Sequence, residues 1–203
     1  MKRKAVWMGC ILAALFCGRA ANASVIMTLD QVGPNVVATG SGTVDLTDLT
    51  TFGNFNPLLP VIEPSAALLH IGDPNAGSSR YIGSISGPTN FGSGPATVAS
   101  SGTGNSLGLT IVSLPTPDII FVPLGYVSGT PLSGSTATWN NTTLAALGAT
   151  PGIYTWTWGT GAHADSLTLE SAVPEPAPAL LLTLGAAGLA FLKWRSSLLI
   201  PKR

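Results

Sequence analysis

His70 and His163 are the only imidazoles in the chain, and each has a carboxylate close by in sequence, Asp73 and Asp165 respectively. Serines are abundant, so a Ser/His/Asp set could be assembled on paper. A nucleophilic triad, however, needs three groups that converge in space, and nothing in the spacing brings these together. No Gly-x-Ser-x-Gly elbow is present. Two histidines cannot build a three-histidine zinc site. Both cysteines, Cys10 and Cys17, sit in an N-terminal apolar stretch, so residues 24–203 offer no thiol nucleophile, disulfide or Cys-ligated metal. Asp73-Pro74-Asn75-Ala76-Gly77 is rich in oxygen ligands. It has neither the glycine at the sixth position nor the glutamate at the twelfth that an EF-hand needs. The glycine-rich run 102–108 has the wrong spacing for a dinucleotide loop and reads as a surface loop. These residues lead us to expect no enzyme, no cofactor and no metal.

The most distinctive side chains lie in Gly152-Ile153-Tyr154-Thr155-Trp156-Thr157-Trp158-Gly159. In a strand, period two places Tyr154, Trp156 and Trp158 on one face, and Ile153, Thr155 and Thr157 on the other. Facing outward, the rings could stack on pyranose rings and bind glycan. Facing inward, they fill the core, where large aromatics contribute much of the burial energy. Trp139, on another expected strand, completes either picture.

The elements that must position these residues are short strands. Residues 25–29 are apolar and β-branched, Val32-Gly33-Pro34-Asn35 is a turn signal, and 36–39 return as a hairpin partner. Residues 43–47 alternate, with Val44 and Leu46 on one side and Asp45 on the other. Further strands are expected over 67–71, 80–85, 107–112, 118–122, 135–139, 153–158 and 166–170. Residues 145–147 read as a single helical turn, and Asn140-Asn141-Thr142-Thr143 as a turn. About ten strands without βαβ alternation predict a mainly β, antiparallel sandwich or jelly roll over residues 24–172.

Composition then locates this domain between two signals. The 203 residues carry nine Lys+Arg and nine Asp+Glu, a net charge of zero. Arg80 is the only Lys or Arg in residues 24–172, where it faces eight carboxylates, so that stretch carries −7. A nucleic-acid partner is not expected of such a domain. Lys2-Arg3-Lys4, an apolar run over 5–17 and the small-x-small pattern Ala21-Asn22-Ala23 read as a signal peptide over 1–23, cleaved before Ser24. Near the C-terminus come Pro174-Glu175-Pro176, an uncharged apolar run over 177–192, and then Lys193-Trp194-Arg195. Sixteen helical residues reach about 24 Å against a hydrocarbon core of about 30 Å. Snorkelling of Lys193 and Arg195 makes up the difference in a transmembrane segment. Basic residues kept on the cytoplasmic side at both ends place residues 24–172 outside.

The tail over 173–203 resembles the PEP-CTERM sorting signal of exported bacterial proteins. The matching parts are Pro174-Glu175-Pro176, the apolar helix over 177–192, and the basic cluster of Lys193 and Arg195. The extension Ser196 to Arg203 departs from that pattern. The resemblance implies recognition by an exosortase, removal of the tail near the motif, and release or attachment at the envelope or in extracellular polysaccharide. Similar tails also carry the label of an ice-binding protein C-terminal domain, a label that describes the tail alone. The Thr-Trp-Thr-Trp-Gly strand is similar to one in exported domains found beside such tails. We therefore expect an exported structural or adhesive protein. It is anchored by its C-terminal helix before processing and lodges afterwards at the cell surface or in a biofilm matrix. Signal peptidase and exosortase are its processing partners, and extracellular polysaccharide is a candidate ligand. A secreted carbohydrate-binding module that uses the aromatic strand face is the alternative.

Overall fold

A computed structural model describes residues 24–111 and 117–172. The expected signal peptide over 1–23, the expected sorting tail over 173–203 and its expected transmembrane segment over 177–192 lie outside the described residues.

The strands in chain order are β1 (Ser24–Val32), β2 (Asn35–Gly42), β3 (Thr50–Phe55), β4 (Val61–Glu63), β5 (Leu68–Ile71), β6 (Ser78–Ile82), β7 (Thr97–Val98), β8 (Ser101–Thr103), β9 (Leu107–Thr110), β10 (Ile119–Pro123), β11 (Leu132–Trp139), β12 (Gly152–Trp158) and β13 (Asp165–Ala172). Two short 3-10 turns, Pro64–Ala66 and Gly161–His163, are the helical elements among the described residues. The expectation of a mainly β chain therefore holds. The strands form a six-stranded sheet, ordered β12-β13-β1-β2-β11-β8, and a seven-stranded sheet, ordered β3-β6-β10-β9-β5-β4-β7.

Alternation explains why the two sheets meet. Val25, Met27 and Leu29 on β1 are buried, as are Val36 and Ala38 on β2, Leu167 and Leu169 on β13, and Ala137 and Trp139 on β11. On the other sheet Leu69, Ile71, Leu107, Leu109, Ile120 and Val122 are buried, and all these residues belong to one apolar cluster. Period-two burial is what a sheet with one face on a core and one in solvent requires.

Three expectations are corrected. The pairing is not wholly antiparallel, because β1 lies parallel to β13, with Ser24 opposite Ser166 and Asp30 opposite Ala172. Residues 43–47 are not a strand. Val44 and Leu46 are buried as their alternation suggests, but their backbone donors go to side chains. The Val44 N–H donates to Tyr126 Oη (3.0 Å), the Asp45 N–H to Asp165 Oδ2 (2.7 Å) and the Leu46 N–H to Ser128 Oγ (2.9 Å). The glycine-rich run 102–108 is not simply a surface loop, since Gly102 lies in β8 and Gly108 in β9. A Cβ on Gly108 would collide with the Leu69 carbonyl oxygen, so the glycine permits close backbone approach between β9 and β5.

Arg80, on β6, lays its guanidinium over the Phe55 ring at 3.6 Å and near the Phe52 ring at 4.9 Å. Aromatic faces thereby stabilise the one Lys or Arg side chain of residues 24–172.

Candidate functional site

The aromatic strand is the first place to look for a ligand. β12 pairs antiparallel with β13, with Trp156 opposite Leu167 and Trp158 opposite Asp165, so the strands expected over 153–158 and 166–170 form a hairpin. Tyr154, Trp156 and Trp158 share a face, and that face is the inner one. Trp156 is 0% and Trp158 3% exposed, while Ile153 on the opposite face is 75% exposed. Each indole N–H has a backbone partner, Trp156 Nε1 the Pro88 carbonyl at 2.7 Å and Trp158 Nε1 the Asp45 carbonyl at 2.9 Å. Tyr154 is half-buried, stacks on Trp156 at 6.5 Å and donates its hydroxyl to the Thr150 carbonyl at 3.0 Å. Trp139 is buried too and donates to the Thr97 carbonyl. The glycan-stacking reading of Tyr154, Trp156 and Trp158 is thus corrected. A sugar needs an open ring face, and these indoles spend their faces on the core.

The second place is the corner where β12 turns into β13. A cavity of about 380 Å³ is lined by Thr157, Trp158, Gly159, Ala164, Asp165 and Ser166. Asp165 is buried, and burial pushes its carboxyl above the usual range. Its oxygens accept the Asp45 N–H at 2.7 Å and the Ser166 N–H at 2.6 Å. Asp45 lies in the same corner. Hydrogen bonding from Thr47 above all, opposed by partial burial and helped by His163 and Ser128, holds its carboxyl down to about 2. His163 Nδ1 meets Asp45 Oδ2 at 3.0 Å, so this histidine pairs with Asp45 and not with its sequence neighbour Asp165. Asp48 Oδ2 accepts the Thr160 N–H at 2.9 Å. These carboxylates are occupied in fastening the segment over 43–48 to the terminal hairpin. No group of three or more metal-ligating side chains is gathered among the described residues.

The third place was hidden from sequence reading. His70 lies on β5 and is 1% exposed, so it is not a loop residue. Nδ1 lies 3.1 Å from the Leu59 carbonyl oxygen and Nε2 2.8 Å from Ser106 Oγ, which is also buried. A carbonyl can only accept, so Nδ1 carries the proton and the Ser106 hydroxyl donates to Nε2. Burial, opposed by the Leu59 contact, pushes the imidazole down to about 4. Asp73 takes no part in it. Its Oδ1 accepts the Asn75 N–H at 2.8 Å in a local turn. The pair has the hydrogen-bonding pattern of a base and a nucleophile, but both groups are 1% exposed. Substrate cannot reach them, and their chemistry is that of a satisfied buried polar pair.

These observations define the class as a mainly β protein of two antiparallel-dominated sheets whose conspicuous side chains are structural. No family model, curated protein or solved structure matches the chain. Among the described residues no helix is long and apolar enough to cross a membrane.

Proposed function

We propose that this is an exported envelope or extracellular-matrix protein with a structural or adhesive role, sorted by an exosortase-like system, and not an enzyme. One observation carries the reading, the order Pro174-Glu175-Pro176, apolar run over 177–192, then Lys193 and Arg195. Lys2-Arg3-Lys4 and Ala21-Asn22-Ala23 support export, with cleavage between Ala23 and Ser24. The working unit is then the domain over 24–172, a β-sandwich of jelly-roll type with mainly antiparallel pairing. Signal peptidase and exosortase process it, and the C-terminal helix holds it to the membrane until the tail is cut. The charge of −7 on residues 24–172 fits neutral glycans, cations or basic surfaces better than nucleic acid. The polar face of the six-stranded sheet, not its aromatic side, remains available to a matrix component.

Mass spectrometry of both termini of the native protein tests the sorting step. In a host with its exosortase the chain should begin at Ser24 and end before the apolar run. In an exosortase deletion, or with Pro174 and Pro176 replaced by alanine, the tail should persist. A native chain still ending at Arg203 in the intact host would overturn tail removal.

A further inference from the structure

The outward face of the six-stranded sheet carries a pattern that the core does not require. Registers place Thr28 opposite Thr39, Thr39 opposite Thr136, and Thr136 opposite Thr103. Four threonines therefore stand in one row across β1, β2, β11 and β8, spanning roughly 14 Å at a strand spacing of about 4.8 Å. The row continues through Glu170 to Ile153 at the β12 edge. Within it the Thr28 and Thr39 hydroxyls lie 2.9 Å apart, and those of Thr103 and Thr136 2.8 Å apart. A second hydroxyl pair, Thr155 and Thr168, lies 3.2 Å apart beside the exposed Ile26. Serine and threonine hold most of the remaining outward positions of these strands. Asp30 and Glu170 are the charged ones, and no Lys or Arg occurs among them.

β-propensity accounts for threonine in strands. Lysine and arginine are scarce throughout residues 24–172, where Arg80 is the only one, so hydroxyls are the chief polar groups of this face. Each hydroxyl donates once and accepts twice, and a Thr–Thr pair spends one donor and one acceptor. The row therefore keeps both donors and acceptors on offer, interleaved with threonine methyl groups. Sugars present the same mixture of ambivalent hydroxyls and C–H surfaces. The strand spacing is also close to the length of one sugar in an extended chain. Asp30, Glu170 and the charge of −7 over residues 24–172 repel polyanions, and the four-threonine row itself holds hydroxyls with no carboxylate to pair with a cation, which suits an uncharged polymer.

We infer that the Thr28–Thr39–Thr136–Thr103 row is a docking face for a neutral extracellular polysaccharide, whose chain lies across the strands. The inference rests on the proposed extracellular location and supplies its ligand class and surface. Many weak hydroxyl contacts on a flat face suit avid, multi-copy adhesion better than tight one-to-one binding.

The test uses the mature protein purified from its host, applied to insoluble cellulose, a β-1,3-glucan and a mannan, with alginate as the anionic control. Retention is expected on at least one neutral polymer and not on alginate. The triple variant Thr28→Val, Thr39→Val, Thr136→Val keeps strand propensity and should lose retention about tenfold. Replacing the same positions with serine should restore most of it. Should the valine variant fold poorly by near-UV circular dichroism, the single variant Thr39→Lys on the open face serves instead, with the same expected loss. No retention on any neutral polymer, or equal retention of wild type and variant, overturns the docking face. So does a dimer in light scattering that Thr39→Lys dissolves, because a second copy would then occupy the face. Mass spectrometry of the same sample separates the two claims. Correct termini without retention sink only the face, and retention by a chain ending at Arg203 sinks only the sorting step.

Discussion

His70 shows how a single residue sets a pH limit. Its imidazole is held down to about 4 from the ordinary 6.5, chiefly by burial. The folded value lies below the unfolded one, so the contribution to stability is complete above about pH 6.5. It is lost as pH falls toward 4, where the unfolded chain binds a proton that the folded chain refuses. The loss amounts to about 3 kcal/mol. Urea unfolding at pH 7 and pH 4 should show it, and His70→Gln should lower stability at pH 7 yet flatten the dependence across this window. An unchanged slope in that variant would contradict the assignment. Asp45, held down to about 2, belongs to a lower window and loses its contribution between about pH 4 and 2. Asp165 has the opposite sign, since its raised value makes ionisation a cost that grows as pH rises through it. None of this could be read from the chain. The strand expected over 67–71 contains His70 but does not say which way the ring points, and its partner Ser106 lies 36 residues away.

At the scale of elements, local pattern was informative and local length was not. The period-two runs of β1, β2, β11, β12 and β13 were legible because one face is apolar. The brief strands β4, β7 and β8 have too few residues to show a period, and β3 lacks a buried face. Residues 43–47 show the converse, an alternation kept by burial where side chains replace the ladder. Glycines give this scale its test. Gly42 ends β2 at φ +131°, and a Cβ there would collide with the Ser24 carbonyl oxygen. Gly42→Ala should cost roughly 1–3 kcal/mol from the backbone conformation alone, and more from the collision. Gly125 has φ +74° but open space around it, so Gly125→Ala should cost only about 1 kcal/mol. Thermal unfolding of the two variants measures the difference, and equal losses would remove the steric argument.

Over the whole molecule, the parallel pairing of β1 with β13 joins the β12–β13 hairpin to the rest of the six-stranded sheet. β1 sits between β2 and β13 and contributes Val25, Met27 and Leu29 to the core. A chain lacking residues 24–32 would leave β2 paired only with β11 and β13 only with β12, with one open edge on each and three apolar sockets empty. It should show no cooperative unfolding transition in calorimetry. A sharp transition in that deletion would mean that the remaining strands form a self-sufficient core. Pairing across so long a loop also predicts slow folding, on the order of milliseconds to seconds. The chain leaves β13 at Ala172, opposite Asp30, at the end of the sheet that carries the β1–β2 turn. The Asp45–His163–Asp165 corner lies at the opposite end, a strand length of about 23 Å away.

The sequence by itself determined the class of structure, and it alone carries the residues on which the proposed processing rests. A two-residue period, turn residues and the placing of charge are local properties, and local properties survive without a fold. It also set which side chains of β12 travel together. Only the tertiary structure decided which way they point. The same alternation serves an outward or an inward ring face equally well until the fold brings Gly87 and Pro88 to Trp156 and Asp45 to Trp158. That choice moved Trp156 and Trp158 from candidate ligand platform to core. It also left the threonine row, unremarkable in sequence because its members lie on four separate strands, as the continuous face that meets solvent.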